Sequence, residues 1–230
     1  MVFGGLDIDS KYCLNFNYVM LKRTDCVKYL GVLIDNMLSW KSHINFIVDK
    51  VNKGIGMLSM VKRIFPVQSL LSIYYSFIYS YISNAIIFWG SACDNYLNPL
   101  IIAQKKAIRI IGNVSRLTHC APVAKSNNIL LINDVYKLSL ACMMFRVNSA
   151  SSHPVLLNNI SKSNVHFLHS TRSAVCNKFW VPRVLTNYCQ YFVIYQGIIL
   201  WNSLPTSIIN LKSFVQFKKQ LKLLLFQDYF

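Results

Sequence analysis

The chain has 230 residues, 54% of them hydrophobic, enough to bury one large core or two small ones. Its 24 lysines and arginines face 8 acidic residues, all Asp, for a net charge of +16; such an excess points to an anionic partner, a nucleic acid first, then a membrane surface or an acidic protein. Seven cysteines without a Cys-x-x-Cys pair, and an N-terminus lacking the basic-then-apolar order of a signal peptide, argue against a secreted disulfide scaffold and for a reducing nucleus or cytoplasm.

Residues 1–36 read as strands. Leu14, Phe16 and Tyr18 alternate with Cys13, Asn15 and Asn17, the period of a strand. Val27–Ile34 (VKYLGVLI) reads as a second strand, apolar enough to be covered on both faces, with Gly31 marking a bulge or a close backbone approach. Ser39 is placed to cap a helix whose stripe is Ile44, Ile47, Val48, Val51, Ile55 and Leu58. Lys50 and Lys53 fall opposite that stripe, and Gly54 and Gly56 weaken the helix. Lys62 and Arg63 suit its C-terminal dipole, and Pro66 stops it.

A second helix, predicted over Gln68–Trp89, is apolar nearly all round and should be buried. A third runs from Asn98-Pro99 to Gly112-Asn113, turning Leu100, Ile101, Gln104, Ala107, Ile108 and Ile111 inward and Lys105, Lys106 and Arg109 outward. Residues 129–148 form a further helix with Leu131, Val135, Leu138, Cys142 and Phe145 as its stripe. Ser149–Thr171, rich in Ser and Asn, reads as an irregular linker. Tyr188–Trp201 fits a strand or a helix, Asn202–Pro205 a turn, and Ser213–Phe226 a final amphipathic helix.

Two uncharged windows, Ile64–Cys93 and Val184–Leu211, are long enough to span a bilayer. Gln68, Asn84 and several Ser and Tyr in the first, and Asn187, Gln190, Gln196, Asn202 and Pro205 in the second, favour buried helices, so no membrane span is expected.

Catalytic chemistry is sparse. Asp7-x-Asp9 could hold a divalent metal from one face of a strand, but a polar turn explains it better. His166-x-x-His169 with Cys176 and Cys189 fits no tight zinc spacing. His119 and Cys120 are adjacent, which is poor geometry for a nucleophile and its base. There is neither a Gly-rich phosphate loop nor a Gly-x-Ser-x-Gly elbow. What remains is charge in three acid-poor clusters: Lys41, Lys50, Lys53, Lys62 and Arg63; Lys105, Lys106, Arg109 and Arg116; and Lys212, Lys218, Lys219 and Lys222. Single lysines are usually solvated helix surface, whereas clusters at this net charge favour phosphate contact.

Eight segments, in order, carry a resemblance: KYLGVLIDNMLSWKSHI (Lys28–Ile44), RIFP (Arg63–Pro66), IYYSFIYSYISNAIIFWG (Ile73–Gly90), QKKAIRII (Gln104–Ile111), ILLINDVYKLSLACMMF (Ile129–Phe145), HSTRSA (His169–Ala174), LWNSLP (Leu200–Pro205) and FKKQLKLLL (Phe217–Leu225). Together they resemble the C-terminal part of the reverse transcriptase of non-LTR retrotransposons, in the jockey-like and related branches. The resemblance implies an α+β, mainly α fold. Palm-edge strands would occupy residues 1–36, a helical thumb 37–120, and a mostly helical C-terminal region 121–230, with the linker near 149–171. It implies that Tyr29, Leu30 and Gly31 sit at the primer-grip position, and that Lys50 and Lys53 face the phosphates of an RNA–DNA hybrid or duplex. The family's Ala-Asp-Asp motif and upstream Asp, which hold two Mg²⁺ ions, do not occur here. Magnesium is therefore expected only for the complete polymerase, whose missing parts would precede residue 1, as in a 5′-truncated element. This chain alone should bind no cofactor and be inactive. Asn84 stands where the family usually has Tyr, and Ile198 where a Pro commonly follows the Gly. The rival expectations are a non-functional truncated product, a membrane protein spanning with Ile64–Cys93, and a metal enzyme using Asp7 and Asp9.

Overall fold

Apolar spacing of helical period dominates the chain, and helices dominate its computed structural model, which describes residues 15–16, 18–20, 24–149, 160, 178–227 and 229. Two short antiparallel hairpins complete the α+β, mainly α architecture: β1 (Asn15–Phe16) with β2 (Val19–Met20), and β3 (Cys26–Tyr29) with β4 (Val32–Asp35). The strand expected from Cys13 falls partly outside the described residues, and the chain already reverses at Tyr18, where φ is 65°.

The single strand expected over Val27–Ile34 is instead the β3–β4 hairpin. Leu30 (φ 46°) and Gly31 (φ 85°) both take left-handed backbone, which suits a two-residue turn between right-twisting strands. The expected cover on both faces is also absent: β3 is exposed along its whole length. A hairpin spends its apolar residues on pairing, so half of them are left toward solvent.

Asp35 fastens this hairpin to α1 (Lys41–Val61). Its carboxylate accepts the backbone N–H groups of Met37 at 3.2 Å, Ser39 at 2.8 Å and Trp40 at 2.8 Å. Ser39 accepts the N–H of Lys41, the first residue of α1, on Oγ at 3.4 Å, but from one residue before the N-cap. Trp40, left-handed at φ 63°, takes the N-cap position without a side-chain bond. His43, fully buried on the first turn, accepts the Leu33 N–H on Nδ1 at 3.3 Å and stands edge-on to Trp89 at 5.8 Å.

The α1 stripe is buried as expected at Ile44, Ile47, Val51, Ile55 and Leu58, with Val48 half-buried. Each such side chain contributes roughly 1.5–3 kcal/mol. Gly54 weakens the helix by about 1 kcal/mol relative to Ala, but it also lets the next helix close in. A Cβ there would lie 2.7 Å from Ile78 Cγ1 and 3.2 Å from the Phe77 carbonyl oxygen.

The helix expected over Gln68–Trp89 exists in pieces. α2 (Val67–Tyr74) passes into a π-helical turn (Tyr75–Tyr79), in which the Ser80 N–H reaches the Tyr75 carbonyl five residues back, and then into α3 (Ser80–Ser83). Extended Asn84 and left-handed Ala85 (φ 52°) break the chain before α4 (Ile86–Trp89). Burial is one-sided rather than all round: Tyr75, Phe77 and Phe88 are exposed. Among the described residues no helix is long and apolar enough to cross a membrane.

α5 (Asp94–Ile111) begins earlier than the Asn98 expected from Pro99. Proline in the second turn forfeits one hydrogen bond, while Asp94 in the first turn complements the dipole. Lys41 Nζ lies 5.9 Å from the Tyr96 ring, start against start, so α1 and α5 pack as parallel neighbours. α6 (Cys120–Ser126) and α7 (Ile132–Asn148) follow, α7 starting later than residue 129. The stretch expected as strand or helix from Tyr188 is helical: α8 (Asn187–Gln190) and α9 (Val193–Ser203), then α10 (Thr206–Ile209) and α11 (Phe214–Leu225). Trp201 stacks on Phe217 at 5.8 Å, and Phe217 meets Phe145 of α7 at 4.6 Å. Asn202 exchanges two hydrogen bonds with the Phe179 backbone, at 2.9 and 2.8 Å. One apolar cluster runs from Ile44 to Tyr229. Of the expected linker at 149–171, only Ser149 and Ile160 are described.

Two expected outcomes follow from these contacts. Tyr229 donates to Asp134 Oδ2 at 2.6 Å and accepts the Leu131 N–H at 2.7 Å. Tyr229→Phe should therefore cost about 1–3 kcal/mol in urea denaturation, because it strands two buried partners. Burial pulls the His43 pKa below 6.5, so the folded state prefers the neutral ring that accepts from Leu33. Its contribution is complete above pH 6.5 and is lost as the pH falls below that value, with a slope of at most about 1.4 kcal/mol per pH unit. His43→Gln, which keeps an acceptor but does not titrate, should flatten the acid limb of a stability–pH curve.

Candidate nucleic-acid interface

The β3–β4 turn and the edge of the buried face of α1 meet in one cleft of about 250 Å³. Gly31 forms its rim, with His43, Phe46 and Lys50 from α1, Lys28 from β3, Tyr81 from α3 and Asn84 just beyond it. Lys50 Nζ lies 5.4 Å from the centre of the Phe46 ring and Lys28 Nζ 5.5 Å. Each cation is thus held by a π face and keeps its charge. Tyr29 and Leu30 stand exposed at the tip of the turn, and Lys53 continues the exposed face of α1 three residues beyond Lys50. A larger groove, about 670 Å³, between α2 and the α6–α7 loop has no charged side chain in its lining.

The other expected cations spread over the bundle. Lys41 packs over Tyr96 at the shared start of α1 and α5. Lys62 and Arg63, just past α1, and Arg116, just past α5, are exposed at the opposite end, since the two helices run parallel. Ile64 and Leu117 are exposed in the same two loops.

Lys105, Lys106 and Arg109 do not form the common outer face expected of them. Arg109 Nε donates to the Thr118 carbonyl at 2.9 Å, folding the following loop onto α5. Lys105 is half-buried, and its carbonyl faces the Cys120 thiol at 3.8 Å. Lys106 alone of the three is fully exposed. The final cluster divides too. Lys222 Nζ donates to the Asn128 carbonyl at 3.3 Å and lies over Phe226, and burial draws its pKa down; Lys212, Lys218 and Lys219 are exposed.

Among the described residues none of these interface cations has a carboxylate within 4 Å; the ion pair Lys137–Asp134, at 3.4 Å, lies on α7. Sequence reasoning missed Lys28, whose only signal is its place immediately before Tyr29-Leu30-Gly31. It also missed His43, Tyr81 and Asn84, which only tertiary packing brings to the cleft. Among the described residues no group of three or more His, Cys or Asp could hold a metal ion. Asp7, Asp9, His166, His169 and Cys176 lie outside the described residues. This surface can attract and hold a polyanion through unpaired ammonium and guanidinium groups. Compared with protein-family models, curated proteins and solved structures, the chain matches none.

Proposed function

We propose that the chain is a template–primer-binding fragment of a non-LTR retrotransposon reverse transcriptase. Residues 1–36 would serve as palm edge and 37–120 as thumb, without polymerase activity in this chain alone. The observation that carries the reading is the shared cleft of Gly31, Lys28 and Lys50. The segment resembling the primer grip is a tight exposed turn, and it sits beside cations on the helix that resembles the first thumb helix. Tyr29 and Leu30 offer exposed flat and apolar surface at the turn, and Gly31 keeps the backbone there open. Lys53, Lys41, Lys62, Arg63, Arg116 and Lys106 extend positive charge along and around the bundle. Lys105 and Arg109 serve the fold first. The partner is an RNA–DNA hybrid or duplex, recognised through its phosphates and not its sequence, in nucleus or cytoplasm. Magnesium belongs to the complete polymerase.

A second reading, a truncated product without activity of any kind, draws on the exposed apolar edge at Val27, Tyr29 and Leu30, a surface open to edge pairing and aggregation.

A fluorescence-anisotropy titration with RNA–DNA duplexes of unrelated sequence decides between them. If about five phosphates are neutralised, log affinity falls against log salt with a slope of roughly −4, and Lys50→Ala with Lys53→Ala makes that slope shallower by about 2 units. Absence of binding at about 50 mM salt would leave only the second reading.

A further inference from the structure

Four side chains with hydrogen-bond donors, Lys28, Lys50, Tyr81 and Asn84, and no carboxylate line the small cleft. Lys28 and Lys50 each bring an ammonium group over the Phe46 ring, at 5.5 and 5.4 Å from its centre. The Tyr81 hydroxyl and the Asn84 side-chain amide also line it, and neither side chain has a hydrogen-bond partner among the described residues. His43 lies at its base, 1% exposed. Because Nδ1 accepts the Leu33 N–H, the ring proton sits on Nε2, and Nε2 is buried without a partner. An unpaired buried donor is costly unless something accepts from it. The rim is backbone: Gly31 has φ 85°, and a Cβ there would stand 3.6 Å from the Asn84 amide nitrogen.

From this we infer that the cleft binds a phosphate dianion, either free or as a terminal monoester on a nucleic acid. Two cations without a counter-charge match the charge of about −1.5 to −2 on a phosphate monoester better than the single charge of a backbone diester. Several donors of different reach suit a tetrahedral group with three or more terminal oxygens, and 250 Å³ admits the group together with water or the chain it terminates. The free-phosphate form stands on the cleft alone. The monoester form rests on the nucleic-acid reading above.

The test is a two-part titration of the full chain. In the first part, inorganic phosphate is added at constant ionic strength against chloride, followed by two-dimensional NMR of the Gly31 amide and the Asn84 side-chain amide. The expected result is a saturable, millimolar shift of these signals. Lys28→Ala, at an exposed position, and Lys50→Ala, at a half-buried one, should each weaken it about tenfold to a hundredfold. Lys219→Ala on α11 should leave it unchanged. A shift that does not saturate, or that survives in both cleft variants, overturns the site. In the second part, duplexes ending in a phosphate or in a hydroxyl compete for the chain at one salt concentration. Several-fold tighter binding of the phosphorylated end, lost in Lys50→Ala, supports the monoester; equal binding of the two ends overturns it. Saturable phosphate without duplex binding upholds the site and defeats the nucleic-acid reading. Salt-dependent duplex binding without a phosphate response does the reverse.

Discussion

A single buried amide holds the two halves of the molecule in register. Gln104 on α5 is 1% exposed, yet every polar atom of its side chain is engaged. Nε2 donates to the Tyr74 hydroxyl and to the Leu130 carbonyl, both at 2.9 Å, and Oε1 accepts the Ile132 N–H at 3.0 Å. That side chain therefore joins α2, α5 and the start of α7. Leu131 at the α7 N-cap offers no side-chain cap, so Gln104 and Tyr229 together satisfy backbone groups that would otherwise be orphaned. Burying an amide is tolerable only when all its partners are present. The core consequently specifies one arrangement of α2, α5 and α7 rather than a family of similar packings.

The cleft depends on that arrangement at one remove. Its α1 wall is fixed by packing on α5, and its other wall is a hairpin of two four-residue strands with few apolar contacts of its own. Polar bonds compensate. Asp35 gathers three backbone N–H groups and holds Leu38 and Trp40 in left-handed conformations that neither residue favours. His43 adds the bond to Leu33. The hairpin is thus oriented by two side chains near the β4–α1 junction, not by a sheet, and the turn at Gly31 stays open to solvent while remaining placed against Lys50.

Periodicity carried much of the fold. The stripes of α1 and α11 were legible because each alternates apolar and charged residues at helical spacing, and tertiary packing followed that pattern. The β3–β4 hairpin was not, because Leu30 is an unusual turn residue and leaves VKYLGVLI looking like one continuous strand. The Asp35 bonds to the loop before α1 were missed because the carboxylate stands well before the helix, where local spacing rules do not look. The breaks around Tyr75–Tyr79 and Asn84 lack Gly or Pro, so nothing in that uncharged run marks them. Of the site, Lys50 was expected opposite the apolar stripe, whereas it stands half-buried on the same side of α1 as the buried His43 and Ile47. The roles of His43, Tyr81 and Asn84 depend on α3 and the hairpin meeting α1, a contact that no single-segment pattern encodes.

Net charge overstates the number of phosphates a surface can hold, and this structure gives a physical reason. A cation within reach of a lone backbone carbonyl is recruited by the fold: Arg109 closes the loop after α5, and Lys222 ties α11 to the turn before α7. Both were indistinguishable in sequence from their exposed neighbours. Lys28 and Lys50 differ in kind. An aromatic face restrains an ammonium group without neutralising it, whereas a carboxylate would restrain and neutralise at once. The sequence has only eight acids, and two of its lysines lie over the Phe46 ring. Positioning by a ring therefore leaves both charges in place and unpaired, the condition an anion site requires and that simple surface lysines, free to wander at the cost of ordering them on binding, do not meet.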